Sequence, residues 1–99
     1  MVRHIVMFKL RGSDEERKKI ANEFAQAINA LPEKIQVLRS VTCAVNENPM
    51  EEWDVVLTAD LDSMEDVAIY AAHPEHVAAA SILAPYKEAR ACVDYSTEL

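Results

Sequence analysis

The chain has 99 residues, 51% of them hydrophobic and 27% charged, with a single glycine, a balance that suits one globular domain over residues 1–99 and leaves too little core for two. Seventeen acids oppose ten bases for a formal charge of -7, and the stretch Ser40 to Tyr86 holds nine acids and no Lys or Arg. Nucleic acid is thereby excluded as a partner, since its binding draws on clustered bases, and no apolar run approaches the ~20 residues needed to cross a membrane.

From Val2 to Leu10 the residues alternate, with His4, Val6, Phe8 and Leu10 on one side and Arg3, Ile5, Met7 and Lys9 on the other, the pattern of a strand. Arg11-Gly12 turns the chain. Ser13 with Glu16 three residues on forms a capping box, and Ile20, Phe24, Ala27, Ile28 and Leu31 then fall on one helical stripe that ends at Pro32. Alternation resumes from Val37 to Val45 and again from Trp53 to Asp60; the short Asn46-Glu47-Asn48-Pro49 connection predicts an antiparallel pair.

Ser63 followed by Asp66 starts a second helical region, which breaks at His73-Pro74 because proline suits the first turn of a new helix better than a helix interior. The later helix, carrying Val77, Ala80, Ile82 and Leu83, is expected to stop near Pro85. A last strand runs from Ala91 to Ser96. The order β-α-β-β-α-β, with its second helical region split, is that of an α+β ferredoxin-like fold, in which helices cover one face of an antiparallel sheet. Ile5 and Met7 make the other face too apolar for water, and a homodimer that buries sheet against sheet is the expected remedy.

Cys43 and Cys92 lie in apolar stretches without C-x-x-C spacing and read as small core residues. No secretory leader is recognisable at the N-terminus, so the cytoplasm is the expected location. His73, Glu75 and His76 are close in sequence, yet they lack H-E-x-x-H spacing and His73 precedes proline, so no metal is expected. A glycine-poor chain offers no phosphate-cradling loop, and no cofactor is expected.

Four polar groups stand in otherwise apolar segments: His4, Tyr70, His76 and Asp94. In the expected fold the first and last strands are antiparallel neighbours, which brings the start of one, at His4, beside the end of the other, at Asp94. A histidine in the first turn of a helix can exchange a proton near neutral pH, and a neighbouring tyrosine can orient it or donate to a developing oxyanion.

The sequence resembles the Dabb family of stress-responsive dimeric α/β-barrel proteins. The likeness rests on His4-Ile5-Val6-Met7-Phe8-Lys9-Leu10, Leu31-Pro32, Asp54-Val55-Val56-Leu57, the Tyr70-to-His76 block followed by Val77, and Val93-Asp94-Tyr95. It implies a ferredoxin-like subunit that pairs with its twin into a barrel, with a pocket between sheet and helices for a small apolar or aromatic, oxygenated ligand. The family includes olivetolic acid cyclase, a plant polyketide cyclase whose site residues this chain matches at His4, Tyr70, His76 and Asp94. That resemblance implies His76 as general base, Tyr70 as orienter and oxyanion donor, and His4 with Asp94 as hydrogen-bonding support. Two further roles stay open at this point: a cofactor-free monooxygenase-like enzyme of the related barrel superfamily, and a non-catalytic stress-related structural or interaction protein.

Overall fold

A computed structural model describes residues 1–98. Its elements run β1 (Val2–Leu10), α1 (Asp14–Asn29), a 3-10 turn (Leu31–Glu33), β2 (Ser40–Val45), β3 (Val55–Leu61), α2 (Met64–Ala72), α3 (Pro74–Ser81) and β4 (Lys87–Ser96). The four strands form one antiparallel sheet in the order β2-β3-β1-β4, which is the ferredoxin-like topology. No helix is long and apolar enough to cross a membrane.

Local chemistry explains the boundaries. Ser13 Oγ accepts from the Glu16 amide at 3.1 Å and Ser63 Oγ accepts from the Asp66 amide at 3.2 Å, so both helix starts have the side-chain acceptor that orphan amides require. His73 closes α2 and caps α3 at once: its backbone is extended, its Nδ1 accepts from the Glu75 amide at 3.1 Å, and Pro74 opens α3. Gly12 sits at φ +116°, a conformation that strains any side chain, and so turns β1 into α1.

Alternation divides the sheet into two unlike faces. Val2, His4, Val6 and Leu10 of β1 are buried beneath the helices with Cys43, Val55, Leu57, Ala59 and Leu61, while Phe24, Ile28 and Tyr70 close the core from above. The opposite face carries Ile5, Met7, Val56, Val93 and Tyr95, of which Val93 is 61% exposed. Arg3 and Asp60, paired across β1 and β3 at 2.9 Å, edge that apolar surface.

Four boundaries differ from the sequence expectation. β2 begins at Ser40 rather than Val37, because Ile35 and Leu38 turn inward to the core and the chain around them is not pleated. β3 begins at Val55 rather than Trp53, since Asp54 is spent on capping: its carboxylate accepts from the Leu10 amide at 2.7 Å and from Arg17 at 3.1 Å. α3 stops at Ser81, and Ile82 to Tyr86 follow as tight turns with bonds such as Tyr86 N–H to Leu83 O at 2.8 Å. β4 starts at Lys87, four residues earlier than its apolar alternation reveals, because the polar segment Lys87–Arg90 pairs with Phe8, Lys9 and Leu10.

Candidate active site

The site grows from one cross-strand pair. His4 and Asp94 face each other in the β1–β4 register, and the His4 Nδ1–H donates to Asp94 Oδ1 at 2.5 Å. His4 is only 6% exposed, a burial that an imidazole sustains when such a partner satisfies it. Its Nε2 has no hydrogen-bond partner among the described residues.

Tyr70, on the last turns of α2, packs its ring 6.0 Å from the His4 ring, edge to face, and 4.5 Å from the His76 ring. It is the wedge between the two imidazoles. Its hydroxyl is buried and has no partner among the described residues, and burial foremost raises its pKa above the ordinary 10.0. Tyr70 stands against both imidazoles and is not among the residues that line the cavity described below.

His76 lies in the first turns of α3, where the break at His73-Pro74 lets its Nδ1–H donate back to Ala71 O at 3.0 Å. This bond fixes the tautomer and leaves Nε2 with its lone pair free. Burial above all lowers the His76 pKa below the ordinary 6.5, outweighing the bond to Ala71, and nearby His4 and Arg90 act in the same direction as burial. The ring therefore stays neutral near pH 7, the state a general base needs.

His4 and His76 line one cavity of about 190 Å³ between sheet and helices. Its walls are Val6, Phe8, Phe24, Leu57, Ala71, Ala80 and Leu83, with Lys87 and Arg90 at β4. Phe8 and Phe24 meet edge to face at 5.5 Å and supply an aromatic floor. A larger groove of about 590 Å³, reaching from Lys9 to Gly12 and along Val45 to Asp54, is polar, and its Arg17 and Lys9 are already engaged with Asp14, Asp54, Glu52 and Glu88.

All four residues singled out from the sequence thus meet at one end of the sheet, although Asp94 stands behind His4 and Tyr70 behind both histidines rather than on the cavity wall. Sequence reasoning missed three neighbours. Lys87 and Arg90 were hidden in the unrecognised start of β4; the available signal was that they are the first bases after the base-free stretch ending at Tyr86. Cys92, read as a core residue, is instead half-buried beside the dyad, with Sγ 3.6 Å from His4 Nδ1 and 3.8 Å from Asp94 Oδ2. Cys43 is the core thiol, pushed up to about 12 by burial and therefore unreactive.

Among the described residues, His4, Cys92 and Asp94 are the one group of three metal-competent side chains, with ligand atoms within 4.8 Å of one another. The dyad already engages Nδ1 of His4, so a cation there would compete with the His4–Asp94 bond. His73 and Glu75 do not join such a group: His73 uses its Nδ1 as a helix cap, and Glu75 faces Lys34.

A ferredoxin-like subunit with a cavity between sheet and helices defines the class. Residues 2–97 match the Stress responsive A/B Barrel Domain family, Dabb, and the chain belongs to that family. It is 31% identical over 101 residues to the stress-response A/B barrel domain-containing protein DABB1 of Arabidopsis thaliana; the match takes in 99% of this chain and 48% of that protein, so the chain spans about half the length of that relative. Among solved structures it is similar to a dimeric protein of unknown function and ferredoxin-like fold from Bacteroides fragilis NCTC 9343, at 51% identity and a TM-score of 0.94, covering 97% of this chain and 95% of that one. A structure of an antibiotic biosynthesis monooxygenase superposes with a TM-score of 0.78 over 98% of each chain at 9% identity, a likeness of fold alone.

Proposed function

We propose that the protein is a homodimer, closed through the open sheet face, that binds a small apolar or aromatic ligand bearing a carbonyl or phenolic oxygen, with His76 as general base. The observation that carries this reading is that two imidazoles line the same largely apolar cavity while each has its Nδ1 already committed, His4 to Asp94 and His76 to Ala71. Free Nε2 atoms in a low-dielectric pocket can take or return a proton at a bound carbonyl compound.

Size narrows the ligand. A cavity of roughly 150 Å³ admits benzene, so about 190 Å³ suits one ring with short substituents, and it is smaller than the 300–1,000 Å³ that drug-sized ligands occupy. A cyclase-like reaction in the manner of olivetolic acid cyclase would use His76 Nε2 to remove a proton next to a carbonyl, with Tyr70 holding the ring in place. The dimer is supported by the apolar open face and by the dimeric state named for the Bacteroides fragilis relative.

A screen of one-ring phenols and ketones by ligand-observed NMR tests the reading. At least one compound should bind wild type, and His76→Ala should abolish any proton exchange or turnover on that compound while sedimentation and the amide spectrum stay unchanged. Unaltered chemistry in His76→Ala, or a loss confined to stability, contradicts the assignment of the base.

A further inference from the structure

The charged lining of the cavity reverses the character of the chain. Acids outnumber bases seventeen to ten overall, yet the two charged residues on the cavity wall, Lys87 and Arg90, are both cations and no carboxylate lines it. Neither cation lies within 4.0 Å of an acidic oxygen among the described residues, whereas Arg3, Arg17 and Arg39 are each paired with an aspartate.

Placement gives these charges a direction. Arg90 stands opposite Phe8 in the β1–β4 register and Lys87 opposite Leu10, so both sit at the β4 edge on the side that the helices cover. Phe8 and Phe24 line the same cavity as the two cations, and Arg90 reaches along β4 to Cys92, whose Sγ lies 3.6 Å from His4 Nδ1. Arg90 is also close enough to His76 to help hold it neutral, which places the guanidinium within the same electrostatic field as the base. A planar guanidinium binds carboxylate in two parallel hydrogen bonds, and a lysine beside it adds a point charge.

We infer that the ligand of this cavity is an organic anion, a one-ring body resting on Phe8 and Phe24 whose carboxylate reaches Arg90 and Lys87 at the β4 edge. The inference rests on the reading of the cavity as a ligand site and adds the chemical class. The apolar walls alone would accept any small ring; the unpaired cations select those with a negative end. Orientation follows, because a ring anchored by its carboxylate at Arg90 presents its remaining substituents to His76 and His4.

Titration of the intact protein with 4-hydroxybenzoate and with its methyl ester, followed by amide chemical shifts, separates the two levels of the argument. The acid should bind about tenfold or more tighter than the ester, a difference within the reach of one charge-assisted hydrogen-bonded pair. Arg90→Gln should remove most of that advantage and weaken the ester far less than the acid, with Lys87→Gln producing a smaller loss; both residues are exposed, and an unchanged amide spectrum checks the fold. Added salt should weaken the acid and spare the ester. Equal affinities for acid and ester, or an Arg90→Gln variant that retains the preference, would overturn the anionic class while the ligand site stands. Binding by neither compound would contradict the site and this inference together.

Discussion

Residues one apart on β1 live in different worlds. His4, Val6 and Phe8 face the helices and build a cavity with a buried, carboxylate-paired imidazole at its end; Arg3, Ile5 and Met7 face outward onto an apolar surface edged by ion pairs. The period of two that makes a strand therefore lets nine residues line a cavity on one side and present an apolar face on the other without competition for space. Each face should be breakable without the other.

The largest effect is expected on the open face. Met7 lies between Val56 and Ala91 in the register, at the middle of that surface, and Met7→Asp would bury an unpaired carboxylate in the proposed dimer at a cost of several kcal/mol. Sedimentation should fall from about 22 kDa, twice the 11.1 kDa chain, to the monomer value. A wild-type protein that sediments as a monomer would remove the assembly role from this face.

Phe24→Ala strikes the other side. Phe24 is 2% exposed and packs on Phe8, so its truncation should destabilise the fold by about 3–5 kcal/mol in denaturant unfolding, in proportion to the cavity it enlarges. Tyr70→Phe should act in the reverse direction. The Tyr70 hydroxyl is buried without a partner, and removing such a group relieves a desolvation cost of about 1–3 kcal/mol, so the variant should melt at or above the wild-type temperature. A marked loss of stability would show that the hydroxyl has a partner and that Tyr70 does more than wedge the histidines.

The smallest effect is the pH dependence carried by His76. Its folded pKa lies below the ordinary 6.5, so the unfolded chain binds the proton more tightly; the associated stability is complete above about pH 6.5 and is lost as pH falls through the folded value. Asp60 and Asp62, held below the ordinary 3.8 chiefly by hydrogen bonds from Arg3 and Arg39, act only in a more acidic window. Unfolding free energy should thus decline already as pH falls below about 6.5, ahead of the carboxylate window, and His76→Gln should flatten that decline. A wild-type profile level over this range would contradict the half-buried, neutral imidazole.

Much of this arrangement was legible in the sequence because strong local rules act alone there. The alternation of β1, the capping serines Ser13 and Ser63, and the Pro74 break each follow from one local constraint, and the antiparallel β1–β4 neighbourhood brought His4 to Asp94 as expected. What escaped was set by tertiary contacts. Ile35 and Leu38 interrupt the pleat to enter the core, and Lys87–Arg90 is strand only because β1 pairs with it, so the cationic edge of the cavity was invisible. Cys92 escaped because it lies on the edge strand β4, where it is half-buried beside His4 although its neighbours in sequence are apolar.

The central claim is that His76 is a neutral base whose free nitrogen faces a ligand cavity. Long-range proton–nitrogen correlation NMR of the labelled imidazoles at pH 7 tests it most directly. His76 should show a protonated Nδ1 and a bare Nε2, and the Nε2 resonance should move when a cavity ligand is added while that of the helix-capping His73 stays still. A cationic His76 at pH 7, or a proton on Nε2 with Nδ1 bare, would contradict the account.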